Sequence, residues 1–161
     1  MTKTIVIGYG NTLRRDDGAG VTAAGRLARE FPEAEVVTAA GLSPEMAESV
    51  AGCDRAIFVD ASVRTTNVRV TRLVPAGAAA KGEGHSLSPQ AVLGLCASLY
   101  GNTPADALLV EIPAFDCGFG DTMSAATLRY VDCSVQLIRE LLTGETTPEI
   151  LLYLAPPPSD G

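Results

Sequence analysis

The stretch T-I-V-I-G-Y-G-N-T-L-R-R-D-D-G-A-G, residues 4–20, decides how this chain is read. Its first four residues are an apolar run that suits a strand buried on both faces, and the glycines behind it turn the chain into a helix. Gly8-Tyr9-Gly10 opens like a dinucleotide-binding turn. That fingerprint needs a third glycine three residues after the second, and position 13 is Leu. It also needs a helix N-terminus free for pyrophosphate, whereas Asp16 and Asp17 bring negative charge there. The phosphate reading fails on both counts. The aspartates either cap the following helix or face a cation. Of the two, Asp16 is expected to act as the cap, with orientation of a neighbouring ligand as its alternative role, and Asn11 and Gly10 to shape the turn that presents Asp17.

Working outward, residues 18–30 carry Val21, Ala24, Leu27, Ala28 and Phe31 at helical spacing, with Pro32 behind them. Residues 35–38 read as a second strand. Ser43-Pro44-Glu45 reads as a helix start with Ser as N-cap and Pro at the first position, the helix reaching residue 52. Residues 55–60 form a third strand ending on Asp60, and residues 68–74 a fourth. About seven residues between these two strands are too few for a crossover helix, so the fourth is expected antiparallel. Residues 75–84 are glycine- and alanine-rich, and a helix follows from Ser88-Pro89 to about Tyr100. Residues 106–112 give a fifth strand, 113–122 a loop and 124–142 a long amphipathic helix. Strands alternating with helices predict a three-layer α/β/α sandwich on a mostly parallel sheet. Residues 1–145 are expected to form one domain and 146–161 a partly disordered C-terminal tail.

Composition narrows the function classes. Hydrophobic residues are 47% of the chain and aromatics 5%, with no Trp, so the core is built from Ala, Val, Leu and Ile. With 12 basic against 19 acidic residues the net charge is −7, and no basic cluster offers a surface to nucleic acid or an anionic membrane. No apolar stretch reaches the length of a membrane span and no leader pattern precedes the first strand, so a cytoplasmic protein is expected. Cys53, Cys96, Cys117 and Cys133 lack zinc or disulfide spacing and are expected as reduced thiols.

In α/β sheets ligands gather beyond the carboxyl ends of the strands, which brings Asp17 and Asp60 to one edge. His85, the one histidine, follows a glycine-rich approach that gives it the reach to join them. Two carboxylates and an imidazole suit a divalent transition ion such as Zn²⁺, Ni²⁺ or Mn²⁺. A cysteine hydrolase is the rival reading, with Cys117 as nucleophile, His85 as base and Asp60 or Asp116 orienting the histidine.

The combination of G-x-G-N-x-L-x-x-D-D-G-x-G over residues 8–20, the strand end Val59-Asp60-Ala61, and a lone His85 before a Leu-Ser helix start resembles the hydrogenase maturation proteases. The resemblance runs from about residue 3 to 142 and includes the G-L-S-P-E segment at 41–45. It implies a five-stranded sheet of order 2-1-3-5-4 with strand 4 antiparallel and helices on both faces. It implies an endopeptidase that removes a short C-terminal extension from the large-subunit precursor of a nickel-iron hydrogenase once nickel is inserted. Asp17, Asp60 and His85 then fall on the catalytic and metal-binding positions. The first of these positions is often Glu in the family, and Asp is one methylene shorter. The metal is nickel supplied by the substrate, no organic cofactor is implied, and a monomer is expected, with substrate selectivity on residues 76–84 and 113–122. A non-catalytic nickel checkpoint that binds the same subunit is the alternative.

Overall fold

A computed structural model of the chain describes residues 2–76 and 86–148. Five strands, β1 (Thr4–Tyr9), β2 (Glu35–Ala39), β3 (Arg55–Ser62), β4 (Arg69–Arg72) and β5 (Asp106–Pro113), form one sheet of order β2-β1-β3-β5-β4. β1 pairs in parallel with β2 and β3, β3 in parallel with β5, and only β4 runs antiparallel to its neighbour β5. Four helices, α1 (Ala19–Glu30), α2 (Met46–Ala51), α3 (Pro89–Tyr100) and α4 (Ala125–Thr143), cover the two faces. The three-layer architecture, the strand order and the single antiparallel strand are those expected. No helix among the described residues is long and apolar enough to cross a membrane.

The faces follow from the two-residue period of the strands. Val6, Ile57, Val59, Leu108 and Val110 point to one side, where they pack with Ala23 and Leu27 of α1 and with Val131 and Ile138 of α4. Ile5, Ile7, Ala56 and Phe58 point to the other, against Val50 of α2 and Val92 and Cys96 of α3. Both sides of β1 and β3 are therefore buried, and this is why each reads as an unbroken apolar run.

α1 lies unusually close to the sheet. A Cβ on Gly20 would stand 2.2 Å from the Val59 carbonyl oxygen and 2.9 Å from that of Tyr9. Close helix-to-strand packing is what the third glycine of the dinucleotide fingerprint supplies; here it is supplied seven residues later. The first turn of α1 consequently sits over the boundary between β1 and β3, the point at which the chain's crossovers diverge to opposite faces.

Four local expectations are corrected. A 3-10 turn over Arg15–Gly18 precedes α1, whose N-cap is Gly18 with no side-chain hydrogen bond, so Asp16 does not cap this helix. α2 begins at Met46 rather than at Pro44 behind a Ser43 cap, because residues 43–46 first close a turn in which Met46 N–H donates to the Ser43 carbonyl at 3.2 Å. β3 continues two residues beyond Asp60, since β5 keeps pairing with it to Pro113. β4 is limited to its four residues paired with β5. The signals for α3 and α4 hold: Ser88 accepts from Ala91 N–H and Ser124 from Thr127 N–H, each as a side-chain N-cap. Most of the tail at 146–161 lies outside the described residues.

Candidate functional site

The carboxyl ends of β1, β3 and β5 meet at one edge of the sheet because the three strands run parallel. The turn at residues 10–18 leaves β1 there. Gly10, at φ +145°, is placed where a Cβ would collide with the Asp17 carbonyl oxygen at 2.1 Å, so the turn closes tightly upon itself. Within it the Asn11 N–H donates to Asp17 Oδ2 at 2.8 Å, the Asp17 N–H to the Arg14 carbonyl at 3.0 Å, and the Leu13 N–H to Asn11 Oδ1 at 2.9 Å. Asn11 and Gly10 thus fix the turn that carries the half-buried Asp17.

Asp60 shares the strand parity of Phe58 and so points to the α2/α3 side, as does Tyr9, one residue beyond the Gly8–Val59 pair. The Tyr9 hydroxyl bonds the Asp60 carboxylate, and Glu111 stands beside Asp60 in register on β5. Burial is the main force that raises the Asp60 pKa to about 7; the Tyr9 bond opposes it, and the charges of Asp17 and Glu111 add to it. The Tyr9 hydroxyl is pushed well above the ordinary phenol value by burial first and by Asp60 second. Glu111 is partly compensated by Arg69, whose Nη1 lies 3.7 Å from Oε2. The edge therefore concentrates negative charge in a half-buried setting, the chemistry of a site for a cation.

Asp17 and Asp60 lie at the same edge, near enough for the charge of Asp17 to act on Asp60. His85 lies outside the described residues, and among the described residues no group of three His, Cys, Asp or Glu side chains converges as a metal site. The described chain resumes at Ser86, directly against the α-carbon of Gly41, and Leu87 N–H donates to the Leu42 carbonyl at 3.3 Å.

Asp16 has the opposite fate to its neighbour. It is 0% exposed and turned away from α1 toward the loop after β5. It accepts from the N–H groups of Phe115 and Asp116 at 2.9 Å each, from Ser124 N–H at 2.7 Å and from the Ser124 hydroxyl at 2.8 Å. The Thr127 hydroxyl lies 2.9 Å from Asp16 Oδ2 and 2.8 Å from the Pro113 carbonyl, and its single proton serves the two. Burial pushes the Asp16 pKa up, but the bonds from Ser124, Phe115 and Asp116 outweigh it and bring it down to about 2.

The rival nucleophile is poorly served. The Cys117 thiol pKa is raised, first by burial and then by the charges of Asp17 and Asp16, against which Arg14 works alone. A thiol held in its protonated form is the reverse of an activated one. Asp116 is engaged elsewhere, accepting from Gly118 N–H at 3.0 Å and facing Arg15 at 3.7 Å.

Three features of the edge escape a sequence reading to different degrees. Tyr9 and Glu111 carried a signal, since each shares the parity that points Asp60 to the same side. The Asp16 partners carried none, because they lie about a hundred residues away.

No protein-family model and no curated relative matches the sequence. Solved structures do match. The NiFe hydrogenase maturation protease HycI from Thermococcus kodakarensis KOD1 superposes with a TM-score of 0.67 at 25% identity, over 88% of this chain and 93% of that one. HybD from Thermococcus kodakarensis gives 0.64 at 20% identity, over 86% and 98%. The hydrogenase maturating endopeptidase HybD from E. coli gives 0.64 at 18%, over 89% and 93%. In each case the match spans most of both chains. The chain has the fold of the NiFe hydrogenase maturation proteases.

Proposed function

We propose that the protein is an endopeptidase that removes the C-terminal extension of a nickel-loaded NiFe-hydrogenase large-subunit precursor. The observation that carries this reading is the pairing of Asp17 and Asp60 at the β1/β3 edge, close enough for one charge to raise the pKa of the other, on a fold shared with maturation proteases. Two carboxylates held together at such cost gain most from a cation, and the substrate carries one.

In this reading Asp17, Asp60 and His85 are the residues that meet the substrate's nickel, so that cleavage depends on correct loading. The metal supplies Lewis acidity when present. The chain's own part is positional: Asn11 and Gly10 fix Asp17, and Tyr9 orients the Asp60 carboxylate through its hydroxyl. The substrate reaches the open carboxyl edge of the sheet, where loops on a rigid scaffold carry recognition.

The test is incubation with purified nickel-loaded precursor, read by mass spectrometry as loss of the C-terminal peptide. Asp17→Asn, Asp60→Asn and His85→Ala each lower the rate at least about 100-fold. Absence of cleavage by the wild-type protein on its cognate loaded precursor refutes the proposal, and stable co-purification without cleavage favours a nickel checkpoint instead. Full activity in the three variants refutes the site.

A further inference from the structure

We infer that Asp16 is a positioning residue for substrate recognition: it fastens residues 113–124 to the Asp17 turn as a rigid wall whose exposed apolar rim, Phe119 with Leu13, is where the substrate protein docks. The identity of the partner rests on the proposed function; the wall itself does not.

A buried carboxylate is tolerated when its hydrogen bonds are satisfied, and every donor to the Asp16 carboxylate comes from residues 115–127, none from its own turn or from α1. The ionised group therefore does nothing for the helix it precedes. It ties two loops from opposite ends of the chain.

The backbones complete the tie. Asp16 N–H donates to the Asp116 carbonyl at 2.9 Å, Arg15 N–H to Gly120 at 3.0 Å, and Gly120 N–H to Leu13 at 2.9 Å. Arg14 Nε donates to the Cys117 carbonyl at 3.1 Å and Arg15 Nε to that of Phe119 at 3.3 Å. Arg15 accepts φ +48° to make these contacts, an αL conformation uncommon for a residue with a side chain.

What this framework holds up is apolar and exposed. Phe119 is 83% and Leu13 67% exposed, and the Arg14 guanidinium lies 4.7 Å from the Phe119 ring centroid. Such side chains on a preorganised support lose little freedom on binding, which is the property of an interface anchor. Arg14 adds a cation to the rim of a chain whose net charge is −7, so the complementary surface is apolar and flanked by carboxylate. The rim belongs to the same loops that carry Asp17, which puts the docked protein beside the cut.

The experiment combines steady-state cleavage of the nickel-loaded precursor, its binding affinity, and native-state hydrogen exchange. Asp16→Asn turns an amide toward a ring of donors and risks misfolding, so Thr127→Val, which keeps the carboxylate, is measured beside it, with Thr127→Ser as the conservative variant and Phe119→Ala for the rim. In Thr127→Val the KM and Kd rise about 10-fold while kcat stays within about threefold, and Thr127→Ser restores both; Phe119→Ala raises KM similarly. The Arg15, Asp16 and Gly120 amides exchange about tenfold faster in Thr127→Val, while those of β1 and β3 keep their wild-type rates. A fall in kcat at constant KM, wild-type exchange at the three amides, or a uniform rise throughout the molecule overturns the inference. If the wild-type protein binds but does not cleave, the proposed function fails and Asp16 is judged on Kd and exchange; if it neither binds nor cleaves, both fail.

Discussion

Replacing Gly20 by Ala tests the fold and the site together. In the first turn of α1 the new methyl would stand 2.2 Å from the Val59 carbonyl oxygen, 2.8 Å from the Val59 carbonyl carbon and 2.9 Å from the Tyr9 oxygen. All three are backbone atoms of the central strands, so no side chain can swing aside, and α1 must retreat by about 1 Å to restore ordinary contact. Overpacking of this kind costs about 1–3 kcal/mol, set against a gain in helix propensity of at most about 1 kcal/mol. A net loss of roughly 1–2 kcal/mol lowers Tm by about 2–8 °C in a domain of this size. Gly25, five residues along the same helix, is the control: nothing lies within 4 Å of its Cβ position, so Gly25→Ala stabilises by about 0.5–1 kcal/mol. Urea denaturation followed by circular dichroism separates the two midpoints. The displacement also carries Asp17 away from Asp60, so Gly20→Ala loses precursor cleavage beyond what its stability explains. A Gly20→Ala protein at least as stable as wild type, or indistinguishable from Gly25→Ala, refutes the packing argument.

Other outcomes follow from the two contrasting carboxyl groups. Asp60 has a folded pKa of about 7, above its ordinary value of 3.8, so the stability it lends its protonated form is lost as pH rises from about 4 to about 7; Asp60→Asn in metal-free protein raises the urea midpoint at pH 8 but not at pH 4. Carboxyl ¹³C titration checks the causes, since Tyr9→Phe removes an opposing bond and moves the Asp60 pKa up, whereas Asp17→Asn removes a like charge and moves it down. Asp16 behaves inversely: with a folded pKa of about 2 its contribution, roughly 2 kcal/mol, is present above about pH 4 and disappears as pH falls through 2, which acid unfolding of wild type against Asp16→Asn measures. Cys117→Ala keeps its rate of precursor cleavage, and loss of activity in that variant reinstates the thiol as nucleophile.

Much of the fold was legible because the central strands are buried on both faces and helices separate them, leaving continuous apolar runs at 5–7 and 56–59 whose shortness and flanking residues suit strands. The direction of β4 followed from the short connection before it. Asp17 and Asp60 were readable at one edge because the turn after β1 and the far part of β3 leave the sheet on the same side when the two strands are parallel, a matter of topology rather than of neighbouring residues. The start of α2 was misread since Ser43 and Pro44 form a well-recognised helix opening, and the turn that residues 43–46 close before Met46 leaves no separate mark in the residue types. The destination of Asp16 was hidden for a stronger reason: an acid before a helix is locally indistinguishable from a cap, and its real partners are fixed by the docking of α4.

The length of the loop closed by that carboxylate sets an order of assembly. Asp16 and Thr127 are separated by 111 residues, and β4 has no strand to pair with until β5 enters between it and β3. During synthesis the acidic pair is complete once residue 60 has emerged, yet the partner wall is the product of the last third of the chain. A nascent or truncated molecule ending before residue 115 holds an acidic pair but leaves Asp16 without any of its donors and Leu13 and Arg14 without a support. Competence for a protein-sized substrate is thus acquired in a single late step, with closure of the final strand and helix, and cannot precede completion of the domain.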